Sequence, residues 1–252
     1  MAWQWFHRWG SPRWFYQRSG AWLPWLSLSA ALLLLVGTVW GLALAPADFK
    51  QGNSYRIIYL HVPASFLALA GYYLMAIAGA VGLIWKMKLA YIAMRCAATI
   101  GAALTFVALF TGAVWGKPTW GTYWVWDARI TSMLVLLFLY LGVIALYQAF
   151  DRQEVGSKAA ALLGLVGTVN VPIIYKSVDW WYTLHQPASL KLTGESTLHS
   201  SMLYPLLVMV VGFYLFYAVA LLLSMRAEVI ARESSSGWVK ALAAADDDTE
   251  RN

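Results

Sequence analysis

Charge is scarce along this chain. Only 12% of its 252 residues are Asp, Glu, Lys or Arg, against 61% hydrophobic, and the mean hydropathy is +0.60. A soluble domain cannot bury that much apolar surface. Cysteine is nearly absent: Cys96 stands alone, which excludes an intramolecular disulfide and any cysteine cluster for zinc or iron–sulfur. Also missing are H-E-x-x-H, a G-x-S-x-G nucleophile turn and a Gly-rich phosphate loop ending in Gly-Lys-Ser/Thr. No carboxylate pair sits inside an apolar run to carry protons. Hydrolase and pump chemistry are set aside on these grounds. The net charge of +6 and pI near 9.4 do not point to nucleic acid, because in so apolar a chain basic residues mark the loops kept in the cytoplasm.

What is there is a series of long apolar runs. Six, at about 21–45, 57–85, 91–114, 130–150, 159–175 and 201–225, have the roughly 17–25 residues that a helix needs to cross about 30 Å of hydrocarbon. They predict an all-α, polytopic membrane protein with six transmembrane helices. The first run ends in Ala43-Leu44-Ala45, like a signal-peptide cleavage site, but it is too long for one and is read as retained. Six spans put both termini on one side. The connections opposite the termini hold six of the eighteen Lys and Arg residues, namely Lys50, Arg56, Lys117, Arg129, Lys176 and Lys191, and the terminal side holds the other twelve. By the positive-inside rule the termini are cytoplasmic. Residues 1–20, with tryptophans among Arg8, Arg13 and Arg18, read as an amphipathic segment on the membrane surface. Residues 226–252 form a cytoplasmic tail, expected to be mobile from Ser234 onward. Asn170 and Pro172 interrupt the fifth span and predict a kink.

One stretch does not fit an ordinary span. Between the third and fourth runs lies W-G-K-P-T-W-G-T-Y-W-V-W-D-A-R, Trp115 to Arg129. Indoles suit a zone with one greasy and one wet side, so the stretch is either an interfacial belt or a platform for a flat, apolar, partly anionic ligand. Parity puts it on the outer face together with His61, at the start of the second span, and His185, between the fifth and sixth. Pro63 is expected in the first turn of the second helix. A lone histidine at a helix end can be an interfacial hydrogen-bonding residue. Two on one face beside an aromatic platform also suit the axial positions of a b-type haem. With no C-x-x-C-H in the sequence, any such haem is held non-covalently. His199 competes for the second ligand, and His7 falls on the cytoplasmic side. Haem propionates need cations, and Arg56 and Arg129 are the outer-face arginines. Both could instead sit at headgroups, and Asp127 could pair with Arg129 to shape the loop.

The W-G-x-x-W-x-W-D pattern at Trp120, Gly121, Trp124, Trp126 and Asp127, with Trp115-Gly116 ahead of it, resembles the tryptophan-rich signature of the haem-handling proteins of cytochrome c biogenesis. Six spans, about 250 residues and one outer histidine on each side of the motif are most similar to the cytochrome c maturation protein C family, also called haem exporter protein C. The resemblance covers nearly all the chain except the acidic tail. It implies that His61 and His185 are the axial ligands of a haem b. It further implies that Trp115, Trp120, Tyr123, Trp124, Trp126 and Asp127 present the haem, with Arg56 and Arg129 at the propionates. It implies as partners an ATP-binding-cassette pair, a small membrane subunit and a periplasmic chaperone that holds haem covalently through a histidine. The expected role is haem carriage at the periplasmic face of a bacterial inner membrane rather than catalysis. The alternatives are a quinone-linked membrane cytochrome b and a structural scaffold.

Overall fold

The computed structural model describes residues 10–186, 196 and 198–250. His7 and most of the basic, tryptophan-rich start lie outside the described residues, as do Lys191 and Arg251. The described residues form eight α-helices in order: α1 Pro12–Thr38, α2 Ile58–Trp85, α3 Lys88–Trp120, α4 Ala128–Gln148, α5 Gln153–Val166, α6 Asn170–Trp180, α7 Ser200–Arg232 and α8 Gly237–Glu250. No strand occurs among the described residues. Six stretches are long and apolar enough to cross a membrane: Pro12–Leu44, Asn53–Trp85, Lys88–Trp120, Ala128–Gln148, Gln153–Trp180 and Ser200–Arg232. They contain the six predicted runs almost in full.

The boundaries differ from the sequence reading in informative ways. Ser11 caps α1, with Pro12 at its first position, so residues 12–20 of the surface segment continue into the first span as one helix. That span ends in a π-helical turn, Val39–Leu44. The second begins early, because residues Asn53–Ile57 already wind as a 3-10 turn, and Pro63 lies inside the helix rather than in its first turn. The fifth span breaks where a kink was predicted, with a 3-10 turn at Gly167–Val169 separating α5 from α6. Asn170 donates its side-chain N–H to the Ser132 carbonyl at 2.9 Å and ties the break to α4. The tail is helical as α8, and Trp238 packs against Tyr16, with ring centres 5.6 Å apart.

The helices pack in two groups. α2 and α3 form the central antiparallel pair, with α4 and α5 against them and α6 against α4, while α1 lies along α7, and α7 joins the groups by touching α2 and α3. Small residues let the helices approach. A Cβ on Gly101 would lie 2.3 Å from Tyr140 Cζ, and one on Gly41 would lie 2.7 Å from Tyr59 Cγ. Tyr140 is fully buried and donates to the Ala68 carbonyl at 2.8 Å.

The two ends of the bundle have different chemistry. At the end carrying the termini, Arg226 lies over the Tyr16 ring at 3.7 Å and donates to the Tyr16 carbonyl and to Ser19. There, too, Glu228 is held between Arg95 and Arg232, and Arg232 also reaches Tyr147. The opposite end carries the aromatic stretch and the histidines. α3, at 33 residues, is about 50 Å long, more than the roughly 30 Å of hydrocarbon that a span must cross.

Candidate functional site

Trp115 to Trp120 is not loop but the end of α3, and the loop proper is residues 121–127. The helix stops at Gly121, whose φ of +81° is left-handed backbone that glycine adopts without cost. One turn earlier, a Cβ on Gly116 would sit 2.9 Å from Trp120 Cε3. The glycine therefore lets the Trp120 indole lie flat against its own helix. Asp127 then caps α4, its Oδ1 accepting from the Ile130 N–H at 2.8 Å.

Two imidazoles face each other beside this end of α3. The His61 and His185 ring centres are 6.3 Å apart and their planes differ by 34°. With a metal–imidazole bond of about 2.0–2.1 Å and a ring centre about 1.1 Å beyond the nitrogen, two imidazoles on opposite sides of one ion would have centres about 6.3 Å apart. The indoles flank them. Trp115 meets His61 edge-on at 5.7 Å, and Trp120 lies 6.3 Å from His185. Trp124 and Trp126 form a T-shaped pair at 5.4 Å. Trp126 and Tyr123 form the open rim, 76% and 59% exposed, and Lys117 Nζ sits 5.4 Å from the Tyr123 ring centre.

Each imidazole is held through Nδ1. His61 Nδ1 lies 3.1 Å from Thr111 Oγ1, and His185 Nδ1 lies 2.9 Å from the Gln186 carbonyl oxygen. A carbonyl only accepts, so His185 carries its proton on Nδ1 and leaves Nε2 with a lone pair. Burial first, and the Arg129 guanidinium second, push the His185 imidazole down to about 4, against the opposite pull of the Gln186 carbonyl and Asp127. It is therefore neutral at physiological pH, the form that binds metals.

Several residues that sequence reasoning missed hold the pair in place. Thr183 donates to Asp127 Oδ2 and accepts from the His185 backbone N–H at 3.1 Å. The motif aspartate thus clamps the histidine loop to the start of α4. Gln51 Oε1 accepts from Trp115 Nε1 at 2.7 Å, held in a tight turn where Asp48 Oδ1 takes the Lys50 and Gln51 N–H groups. Gly112 gives His61 its room, since a Cβ there would lie 3.0 Å from His61 Cε1.

The two arginines part company. Arg56 donates to the Leu42 and Ala45 carbonyls at 2.8 and 2.7 Å and so closes the π-helical end of the first span. Arg129 makes no hydrogen bond or ion pair among the described residues, and it lies close enough to His185 to perturb it. Trp124 Nε1 is buried with no acceptor among the described residues. Asp127 and Asp179 act on Arg129 electrostatically without pairing with it, and a guanidinium without a hydrogen-bond partner among the described residues, near the imidazole pair, fits a flat metal-bearing ligand with carboxylates. His199 does not join the group. It is exposed and caps α7, its Nδ1 bonded to Ser201.

Fold and site together define a class: a six-span helical membrane protein with a paired-imidazole, tryptophan-walled site at one end of the bundle. The chain belongs to the heme exporter protein C family, whose profile matches residues 5–240. It is 48% identical over 240 residues to heme exporter protein C of Escherichia coli K12, covering 95% of this chain and 97% of that one. Against the protein of the same name from Haemophilus influenzae the identity is 46% over 241 residues, 96% and 98% of the two chains. With that of Paracoccus denitrificans it is 39% over 216 residues, covering 85% and 89%.

Proposed function

We propose that this protein binds one haem b, non-covalently, at the periplasmic face of the inner membrane and delivers it to a periplasmic haem chaperone during c-type cytochrome maturation. The observation that carries this reading is the His61–His185 pair, 6.3 Å between ring centres, with both Nδ1 atoms engaged and both Nε2 atoms left for one iron. Haem brings to the site an iron with two axial positions, a flat apolar ring and two carboxylates. His61 and His185 hold the iron. Trp115 and Trp120 wall the ring, and Tyr123, Trp124 and Trp126 extend that surface outward. Arg129 and the Trp124 N–H serve the propionates. Arg56 is assigned to the scaffold, because both terminal nitrogens already hold backbone carbonyls. Asp127 positions the His185 loop and does not touch the ligand.

The exposed rim suits a donor, since the ligand edge stays open to a docking partner. Delivery would require the iron–imidazole bonds to His61 and His185 to form on loading and break on transfer, with no covalent change to the haem on this chain, which supports a carrier role. Family membership supports an ATP-binding-cassette pair and a small membrane subunit as companions in the maturation system, and the basic residues at the terminal end support cytoplasmic termini. A quinone-linked cytochrome b would bury its ligands between helices, whereas these lie at the mouth of the bundle. Mixing haem-loaded protein with the apo-chaperone tests the proposal. Haem absorbance should leave this protein and appear on the chaperone. Repeated reduction by quinol at catalytic rates with no transfer would overturn it.

A further inference from the structure

The Thr111 hydroxyl has one proton, and two backbone carbonyls compete for it: Val107 at 2.7 Å and Ala108 at 3.2 Å. Both distances match the back-bonding of a threonine within a helix. Thr111 is buried on α3, so water does not offer an alternative. With its proton committed to a carbonyl, Thr111 Oγ1 has only lone pairs to turn towards His61, whose Nδ1 lies 3.1 Å away. The imidazole is then the donor in that contact, and the Ala108 carbonyl is a second acceptor within its reach. Gly112, the next residue, keeps the ring against α3, because any Cβ there would press on His61 Cε1 at 3.0 Å.

We infer that Thr111 is a positioning residue that fixes His61 as its Nδ1–H tautomer and thereby turns the Nε2 lone pair towards His185. The inference rests on the reading of His61 as a haem ligand for its purpose, but the tautomer is a property of the ligand-free protein. A hydrogen bond from the remote ring N–H makes a metal-bound imidazole more basic, and loss of such a partner typically weakens metal binding about 10–100-fold. Thr111 would therefore help set how firmly the iron is held before transfer.

The test is a nitrogen-15 spectrum of histidine-labelled protein in lipid without haem, with the His61 signals assigned by their loss in His61→Ala. Protonated and unprotonated ring nitrogens resonate apart. The expected result is a protonated Nδ1 and a bare Nε2 in the wild type, a mixture of tautomers in Thr111→Val, and the wild-type pattern in Thr111→Ser. A wild-type His61 with the proton on Nε2, or a Thr111→Val spectrum identical to wild type, overturns the inference. Haem titration of the same samples separates this from the ligand assignment. Thr111→Val should bind ferric haem about 10–100-fold more weakly and with a raised reduction potential, and Thr111→Ser should restore both. If the tautomer shifts as expected but haem affinity and potential do not move, Thr111 still sets the tautomer and His61 is not the ligand.

Discussion

His185 depends on a relay that begins at the last polar residue of the tryptophan motif. Asp127 has two oxygens and two tasks, one capping α4 and the other taking the Thr183 hydroxyl that in turn accepts the His185 N–H. The tasks can be separated by substitution. Thr183→Val leaves the cap intact, so its melting in detergent should change by no more than about 1 kcal/mol, while haem affinity falls about tenfold as the His185 loop loosens. Asp127→Ala removes both functions and should lose about 1 kcal/mol more, the usual worth of such a cap. Haem titrations and thermal melts on the two variants check this. Equal haem affinity in Thr183→Val and wild type would contradict the relay. The sequence singled out both histidines, through residue type and parity, and Asp127, though as a haem-presenting residue or a partner of Arg129 rather than as the cap of α4. Thr111, Thr183 and Gln51 were not legible, because a threonine in a helix or a glutamine in a polar loop is unremarkable until the fold brings it beside a ring nitrogen or an indole N–H.

The ends of the spanning helices carry the site and its scaffold. Arg56 forks across the Leu42 and Ala45 carbonyls and keeps the Asp48–Gly52 turn beside Trp115. An ammonium cannot span both acceptors as a guanidinium does. Arg56→Lys should therefore leave part of the π-helical end unsatisfied, at a cost of about 1–3 kcal/mol. It should also make residues 45–57 more sensitive to limited proteolysis, with haem binding reduced only through Trp115. Interior glycines give a second expectation. Gly101→Ala improves helix propensity by about 1 kcal/mol but puts a methyl group 2.3 Å from the buried Tyr140 ring. Such overpacking costs typically about 1–3 kcal/mol, so the net change should be destabilising, as a melting curve in detergent will register. The six spans were readable because long apolar runs have few other uses. The break at Gly167–Val169 was readable only as a kink at Asn170 and Pro172. The winding of Asn53–Ile57 was not visible, since it starts after Gly52 with no capping side chain to mark it.

Across the whole molecule, the paired imidazoles and the Glu228 ion network lie at opposite ends of the bundle. The site end holds facing imidazoles and indoles. The other end holds an ion network, with Glu228 between Arg95 and Arg232. Glu228→Gln would leave two arginines close together without their carboxylate. For a partly buried network the expected loss is about 1–3 kcal/mol, between the values for exposed and buried pairs. Because the network contacts neither histidine, the spectrum of bound haem should be unchanged while the melting temperature falls. The docked start of α8 belongs to the same end, where Trp238 reaches Tyr16 and Glu233. A mobile tail was expected there because the Ser-Ser-Ser-Gly break and acidic end mask a short amphipathic helix whose start packs against α1 and α7.

The central claim is that His61 and His185 share one iron, and the axial ligand field of the bound haem tests it most directly. Low-temperature paramagnetic resonance of the ferric haem-loaded protein should show a low-spin, six-coordinate, bis-imidazole signal. His61→Ala and His185→Ala should each lose it and regain it with added imidazole. His199→Ala should keep it, as that side chain caps α7. A bis-imidazole signal that survives His185→Ala, or is lost in His199→Ala, would contradict the assignment.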